Sequence, residues 1–360
     1  AFNAYYDPRS KSFSPPQNAN IIAPWQLLAA FDRYKDEKLL DMAKSAADWL
    51  HNNMVDLHPM SLVLGGVEDN LKPEQIWTKY TADYVVTNLG IYGRTDETEY
   101  LDRAIQSGRF LMQSRHHAFA PLYNRQTEEW NENGWQSFGR VIAARLGLHH
   151  YTNDEKWLRG ALAWAQYALT LQAENGCFYL VHDDYYSSDV AADEIRGLLN
   201  LFEVTQRIEF KEEGTSFADW HVANQLPNGA WYVTVHRSGV PVSDYIGPGD
   251  VPNIAISLLM THRLTGKLKY LVSAAKAIRY CISKQAVPED AQPYSDDPNI
   301  CWGFWSWDPY YDYTMSTDQS THHMRGIWFF LDYFFSLEEE VQTKLRDALD
   351  TSLRQTELAT

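Results

Sequence analysis

Apolar residues recur along this chain with the spacing of a helix that buries one stripe. The pattern Leu40, Ala43, Ala47 in KDEKLLDMAKSAADWL returns as Leu101, Ala104, Gly108, then as Leu158, Ala161, Ala165, and again as Leu271, Ala274, Ile278. The copies lie 61, 57 and 113 residues apart, the last interval being two periods with a degenerate copy in EFKEEGTSFADWHVANQL. A helical repeat of this length predicts paired helices stacked side by side. Each copy follows a short polar turn (KDEK, RTDETE, TNDEK, TGK), and ahead of each turn runs a helix that is apolar on most faces. These partner helices are expected over Trp25–Tyr34, Trp77–Tyr92, Gly134–Tyr151, Asp189–Val204, Val251–Leu264 and Thr317–Phe335, with a last polar-striped helix over Glu338–Leu353. Helices apolar all round belong inside and those with a polar stripe outside. The expected fold is therefore all-α: an (α/α)6–7 toroid of helical hairpins forming a single domain over residues 1–360, with an open solenoid as its competitor.

The loops entering the inner helices are long and unlike one another, whereas the turns leaving them are short. Two of them hold strand-like runs after Asn-Gly turn signals, CFYLVH and AWYVTVH, which predicts small β-hairpins. In a ring all of these loops gather at one rim, and function is expected there.

Composition narrows the partners. Thirty-one basic against 47 acidic residues leave a formal charge of −16, and no basic run interrupts the balance, which argues against nucleic acid. No uninterrupted apolar run is long enough to span a membrane. Cys177, Cys281 and Cys301 lie far apart without zinc-type spacing, and the acids of HDDYYSSD lack the spacing and glycine of a calcium loop, so no metal or other cofactor is expected. The start AFNAYY, without Met, fits a mature exported protein or an artificial start, and a secreted or periplasmic monomer is expected.

The candidate chemistry centres on CWGFWSWDPYYDYTMSTDQSTHHMRG, Cys301–Gly326. Trp302, Trp305 and Trp307 lie there beside tyrosines, His322, His323 and Arg325, and aromatic planes next to polar tips suit a sugar cleft. WNENGWQSFGR adds Asn133, Trp135 and Arg140, and HDDYYSSDVAADEIRG adds His182 and Glu194. The run WYVTVHRSGVPVSDYIGPGD adds His236, Arg237 and Tyr245. Arg237 or Arg140 is expected to fork a substrate carboxylate. Asp189 and Asp250 read as helix N-caps, and the helix after GGVEDN carries Lys79, Tyr80, Asp83 and Tyr84.

Helical hairpins with Asn-Gly-Trp, His-Asp-Asp-Tyr and Trp/Tyr-rich loops resemble the α/α-toroid carbohydrate enzymes. That set includes polysaccharide lyases acting on uronic-acid polymers and the unsaturated glucuronyl hydrolases. The glucuronan/alginate lyase group, with its Tyr/His/Arg/Glu site, is the most similar in character. The resemblance implies an acidic polysaccharide or oligosaccharide substrate and β-elimination. A Tyr (Tyr245 first, Tyr311 second) then serves as base and acid, while His236, Arg237 and Glu194 help neutralise the uronate carboxylate. Hydrolysis is the alternative, and requires carboxyl groups instead; Asp69, Glu132, Asp184, Glu194, Asp308 and Asp312 are its candidates. A non-catalytic carbohydrate-binding protein is the third reading.

Overall fold

The computed structural model describes residues 1–360 apart from 18, 70, 118, 133–136, 181–183, 289–293, 295, 309–313 and 358–360. Among the described residues twelve helices alternate between two concentric layers. The inner layer is α1 (Ala19–Tyr34), α3 (Thr78–Thr95), α5 (Phe138–Thr152), α7 (Ser188–Thr205), α9 (Asp250–Thr265) and α11 (Thr317–Ser336). The outer layer is α2 (Glu37–Met54), α4 (Thr98–Arg115), α6 (Glu155–Leu169), α8 (Ile208–Ala223), α10 (Leu268–Ile282) and α12 (Glu339–Glu357). Each inner helix packs on the next, and α11 packs back on α1, so six hairpins close into an α/α toroid rather than an open solenoid.

The repeat positions do what their spacing predicts. Ala43, Ala47, Ala104, Ala161, Ala165, Leu271 and Ala274 are all buried, facing the inner layer. The degenerate copy is α8, where Gly214 and Ala218 hold the small positions and Lys211 replaces the leading leucine. That position is only half buried, so a lysine is tolerated with its stem on the protein; its ammonium sits 5.4 Å from the Phe202 ring centre. Helix α9 is buried without a break from Val251 to His262, as an inner helix enclosed on every side must be. Between α5 and α7 the backbones approach so closely that a Cβ on Gly139 would lie 1.7 Å from the carbonyl oxygen of Asp193.

Short strands decorate the loop rim. They are β1 (Tyr5–Asp7), β2 (Ser12–Phe13), β3 (Val67–Glu68), β4 (Gln75–Trp77), β5 (Leu122–Asn124), β6 (Glu129–Asn131), β7 (Tyr185–Ser187), β8 (Thr234–His236) and β9 (Met315–Ser316). Strand β1 pairs with β9, Tyr5 opposite Ser316 and Tyr6 opposite Met315, so the first residues brace the entry to α11. The run AWYVTVH supplies β8, which pairs antiparallel with β7. Over its described residues CFYLVH is no strand: only an isolated bridge forms, between Gln172 and Phe178. Cys177, Phe178 and Tyr179 are buried at consecutive positions, which a half-buried, alternating strand does not allow.

Candidate active site

The lumen of the ring is not an open pore. On the loop side it holds a cavity of about 270 Å³, walled by the first turns of the inner helices. Helix α3 contributes Lys79, Tyr80 and Asp83, α5 contributes Arg140, and α7 contributes Asp189. Asp250 comes from α9, Asp318, Gln319 and His322 from α11, and Trp307 from the aromatic loop before it. Carboxylates favour helix N-terminal turns because the helix dipole is positive there. In this ring those turns converge on a single volume.

Arg140 organises the floor. Its Nη1 donates to Asp83 Oδ2 at 2.8 Å, its Nε to Asp193 Oδ2 at 2.5 Å, and its Nη2 to Asp189 Oδ1 at 3.3 Å. Asp189 also receives Lys79 Nζ at 2.8 Å. Burial alone would raise the Asp189 pKa, but Lys79 and Arg140 outweigh it and hold the carboxyl below the usual range. Asp83 goes the other way, burial prevailing over the same two cations.

Asp250 is the exception among these acids. It accepts a hydrogen bond from Ser188 Oγ at 2.5 Å but has no cation of its own within ion-pair reach among the described residues. Burial, then the charges of Asp189 and Asp318, push its pKa from 3.8 to about 7, against the opposing effects of Ser188 and Arg140. A Cβ on Gly247 would lie 2.6 Å from Asp250 Oδ2, so a side chain there would displace this carboxyl. Asp250 is the first residue of α9 and the N-cap is Gly249, while Asp189 lies inside α7 behind the N-cap Ser187. Both expected caps are instead cavity groups. Across the cavity Asp318 Oδ1 faces His322 Nε2 at 3.0 Å. Burial lowers the His322 pKa, while the Asp318 carboxyl, which burial alone would raise, is held down by His322.

Of the residues expected to be catalytic or substrate-binding, Arg140, Trp307 and His322 reach this cavity. Arg140, expected to fork a substrate carboxylate, has its guanidinium engaged by three protein carboxylates here. Arg237 pairs with Asp184 at 2.9 Å on an exposed hairpin and lies over the Tyr179 ring, outside the cavity lining. His236 is beside it, bonded to Ser238 at 2.8 Å. Glu194 is buried between α5 and α7, where Oε2 accepts from the Gly139 N–H at 2.8 Å, and burial pushes its pKa well up. Tyr245, half buried in the loop before α9, is not among the lining residues either.

His323 turns away from the lumen, bonding Gln319 O at 2.8 Å and stacking on Phe304. Trp305 is buried in a cluster with Tyr6, Ile300 and Met315, so its faces are closed to a sugar, while Trp302 is exposed but outside the lining. The alternative acids disperse as well. Asp69 caps a turn at Leu71, Glu132 lies in a surface groove, and Asp308 is held by Tyr280 and Lys284. Asn133, Trp135, His182, Tyr311 and Asp312 lie outside the described residues.

The acids that do converge, Asp83, Asp189, Asp250 and Asp318, share a sequence signal: each falls within the first two turns of an inner helix. Capping aspartates carry the same signal, which is why it was not specific.

No protein-family model matches the chain, and no curated protein sequence does. Solved structures do match over nearly its whole length. A D-mannose isomerase superposes with a TM-score of 0.72 at 10% identity, covering 92% of each chain. Cellobiose 2-epimerase from Bacillus thermoamylovorans B4167 gives 0.72 at 15% identity, again over 92% of each. Unsaturated glucuronyl hydrolase from Bacillus sp. GL1 gives 0.64 at 13% identity, over 95% of this chain and 92% of that one. At such identities the shared property is the fold: this chain is an α/α toroid of the kind these sugar-converting enzymes are built on.

Proposed function

We propose that this chain is a carbohydrate-active enzyme that hydrolyses a glycosidic bond at the end of a saccharide. The observation that carries the reading is Asp250, a carboxyl poised to hold a proton near neutral pH, beside the ionised Asp189 in a blind cavity. Carboxyl groups whose surroundings push their pKa values apart are what acid-assisted glycoside cleavage requires. The volume has room for about one or two sugar rings, and the Arg140 layer closes its floor, which favours a terminal unit. Trp307 and Tyr80 supply aromatic surface at its wall.

In this scheme Asp250 gives its proton to the leaving glycosidic oxygen. The fixed negative charge of Asp189 stabilises the positive charge that develops on the ring. A water then attacks the anomeric carbon and yields a proton to Asp318, which His322 orients; a second transfer restores the Asp250 proton.

Elimination is less well supported. Tyr80, the tyrosine in the described lining, has its pKa raised by burial, so the phenolate that elimination would use is scarcely populated at neutral pH. Lys79 and Arg140, the lining cations, each face a protein carboxylate already. A second reading, isomerisation of a free sugar, rests on His322, because a buried imidazole kept neutral can take a proton beside a carbonyl.

One experiment separates the three. Neutral and uronate-terminated oligosaccharides, saturated and unsaturated, are incubated with the enzyme, and the products are separated by chromatography and weighed by mass spectrometry. Hydrolysis adds water and releases the terminal unit, and Asp250→Asn abolishes it. Products bearing a new conjugated double bond at unchanged total mass would establish elimination, and an isomer of the intact sugar would establish isomerisation.

A further inference from the structure

Below the Arg140 layer the lumen opens again. A second cavity of about 380 Å³ faces the short-turn rim, and Asp83 and Arg140 line both, so the wall between the two is one side chain thick. Its floor carries Arg196 from α7 and Arg325 from α11, and its sides carry Trp25, Val86, Met260 and Phe329.

The charges in that wall do not balance. Among the described residues that line this second cavity, Arg140, Arg196 and Arg325 meet two carboxylates, Asp83 and Asp193, while Asp189 above is shared by Lys79 and Arg140. Asp193 serves Arg140 and Arg196 together. Arg325 has no carboxylate within ion-pair distance among the described residues. Its Nη2 donates to the neutral Asn253 Oδ1, and its guanidinium lies 4.8 Å from the Trp25 ring centre. Its Nε is buried with no acceptor among the described residues. A half-buried cation without an anion beside it is disfavoured, and the unmet buried Nε–H adds to that cost. Burial brings the Arg325 pKa down to about 10, and burial together with Arg325 and Arg140 brings that of Arg196 well down.

We propose that the short-turn mouth of the ring is a second binding site, for a small organic anion: a carboxylate held by Arg325, next to the Asp193-paired Arg196, with an apolar or aromatic body against Trp25, Met260 and Phe329. The guanidinium fork suits a carboxylate, and the walls beside it are mostly hydrocarbon. The site lies on the opposite side of the Arg140 layer from Asp250, so it stands whether or not hydrolysis is the reaction.

Titration calorimetry at neutral pH and constant ionic strength tests it, with benzoate, acetate, inorganic phosphate and benzyl alcohol as probes. Benzoate should bind saturably at one site per chain and raise the melting temperature, with acetate weaker and benzyl alcohol silent. Arg325→Met should weaken benzoate at least tenfold. Asn200→Trp narrows the mouth while leaving both guanidiniums in place, and should block binding too; circular dichroism checks the fold of both variants. If Arg325→Met does not fold, Asn200→Trp carries the test. Absence of saturable benzoate binding, phosphate binding in preference to benzoate, or benzoate binding unchanged in the folded variants would overturn the assignment.

Discussion

Replacing Asp250 by Asn should make the protein more stable and less active at once, with the gain in stability confined to higher pH. Moving an aspartate from its ordinary 3.8 to about 7 makes its ionisation in place harder by about 4 kcal/mol, at about 1.4 kcal/mol per pH unit. An acid with a raised folded pKa binds its proton more tightly in the native state. The parent therefore loses stability as pH rises from about 4 to about 7, and no more is lost above that. Asparagine has nearly the shape of the protonated acid and its oxygen can still accept from Ser188, yet it never ionises. Urea unfolding should thus show parent and variant nearly equal at about pH 4, with the variant ahead by up to about 4 kcal/mol at about pH 8. The parent's kcat/KM should fall only as pH passes about 7, where folded Asp250 loses its proton, and the variant should be slower by about a hundredfold or more. A stability difference that does not change with pH would refute the raised pKa. A variant within tenfold of parent turnover would remove Asp250 from the chemistry.

Arg140→Met strands Asp83, Asp189 and Asp193 without their shared cation, and should lower unfolding free energy by about 3–5 kcal/mol in denaturant titrations; a parent-like midpoint would show the network to be dispensable. Tyr245→Phe should leave turnover within a few-fold, because the residue lies outside the cavity lining; a loss of orders of magnitude would bring back the elimination mechanism. Gly139→Ala places a methyl against the Asp193 carbonyl and should destabilise by about 3 kcal/mol or more, read as a drop in melting temperature.

The helical scaffold was largely legible because its signal is local. A buried stripe every three to four residues marks an outer helix whatever lies next to it, and Ala43, Ala104, Ala161 and Ala274 are buried as that spacing requires. Polar turns and long loops also assigned the two rims. The active-site reading followed density of chemistry along the chain instead, and that led to Trp305, His323, Arg237 and Glu194. The structure seals the first two in the core, pairs the third at the surface and packs the fourth between helices.

By itself, then, the sequence determined the elements, their order, their inner or outer layer and the excess of negative charge, because each depends on residues near one another in the chain. Tertiary structure alone decided that the ring closes, with β1 bracing α11, and that aspartates 83, 189, 250 and 318 share one cavity. It also decided which of them stays charged. Lys79, about 110 residues from Asp189, and Arg140 keep that acid ionised, while burial and two negative neighbours raise Asp250 to about 7. A pKa is set by what surrounds a group in space, and spacing along the chain does not carry that information.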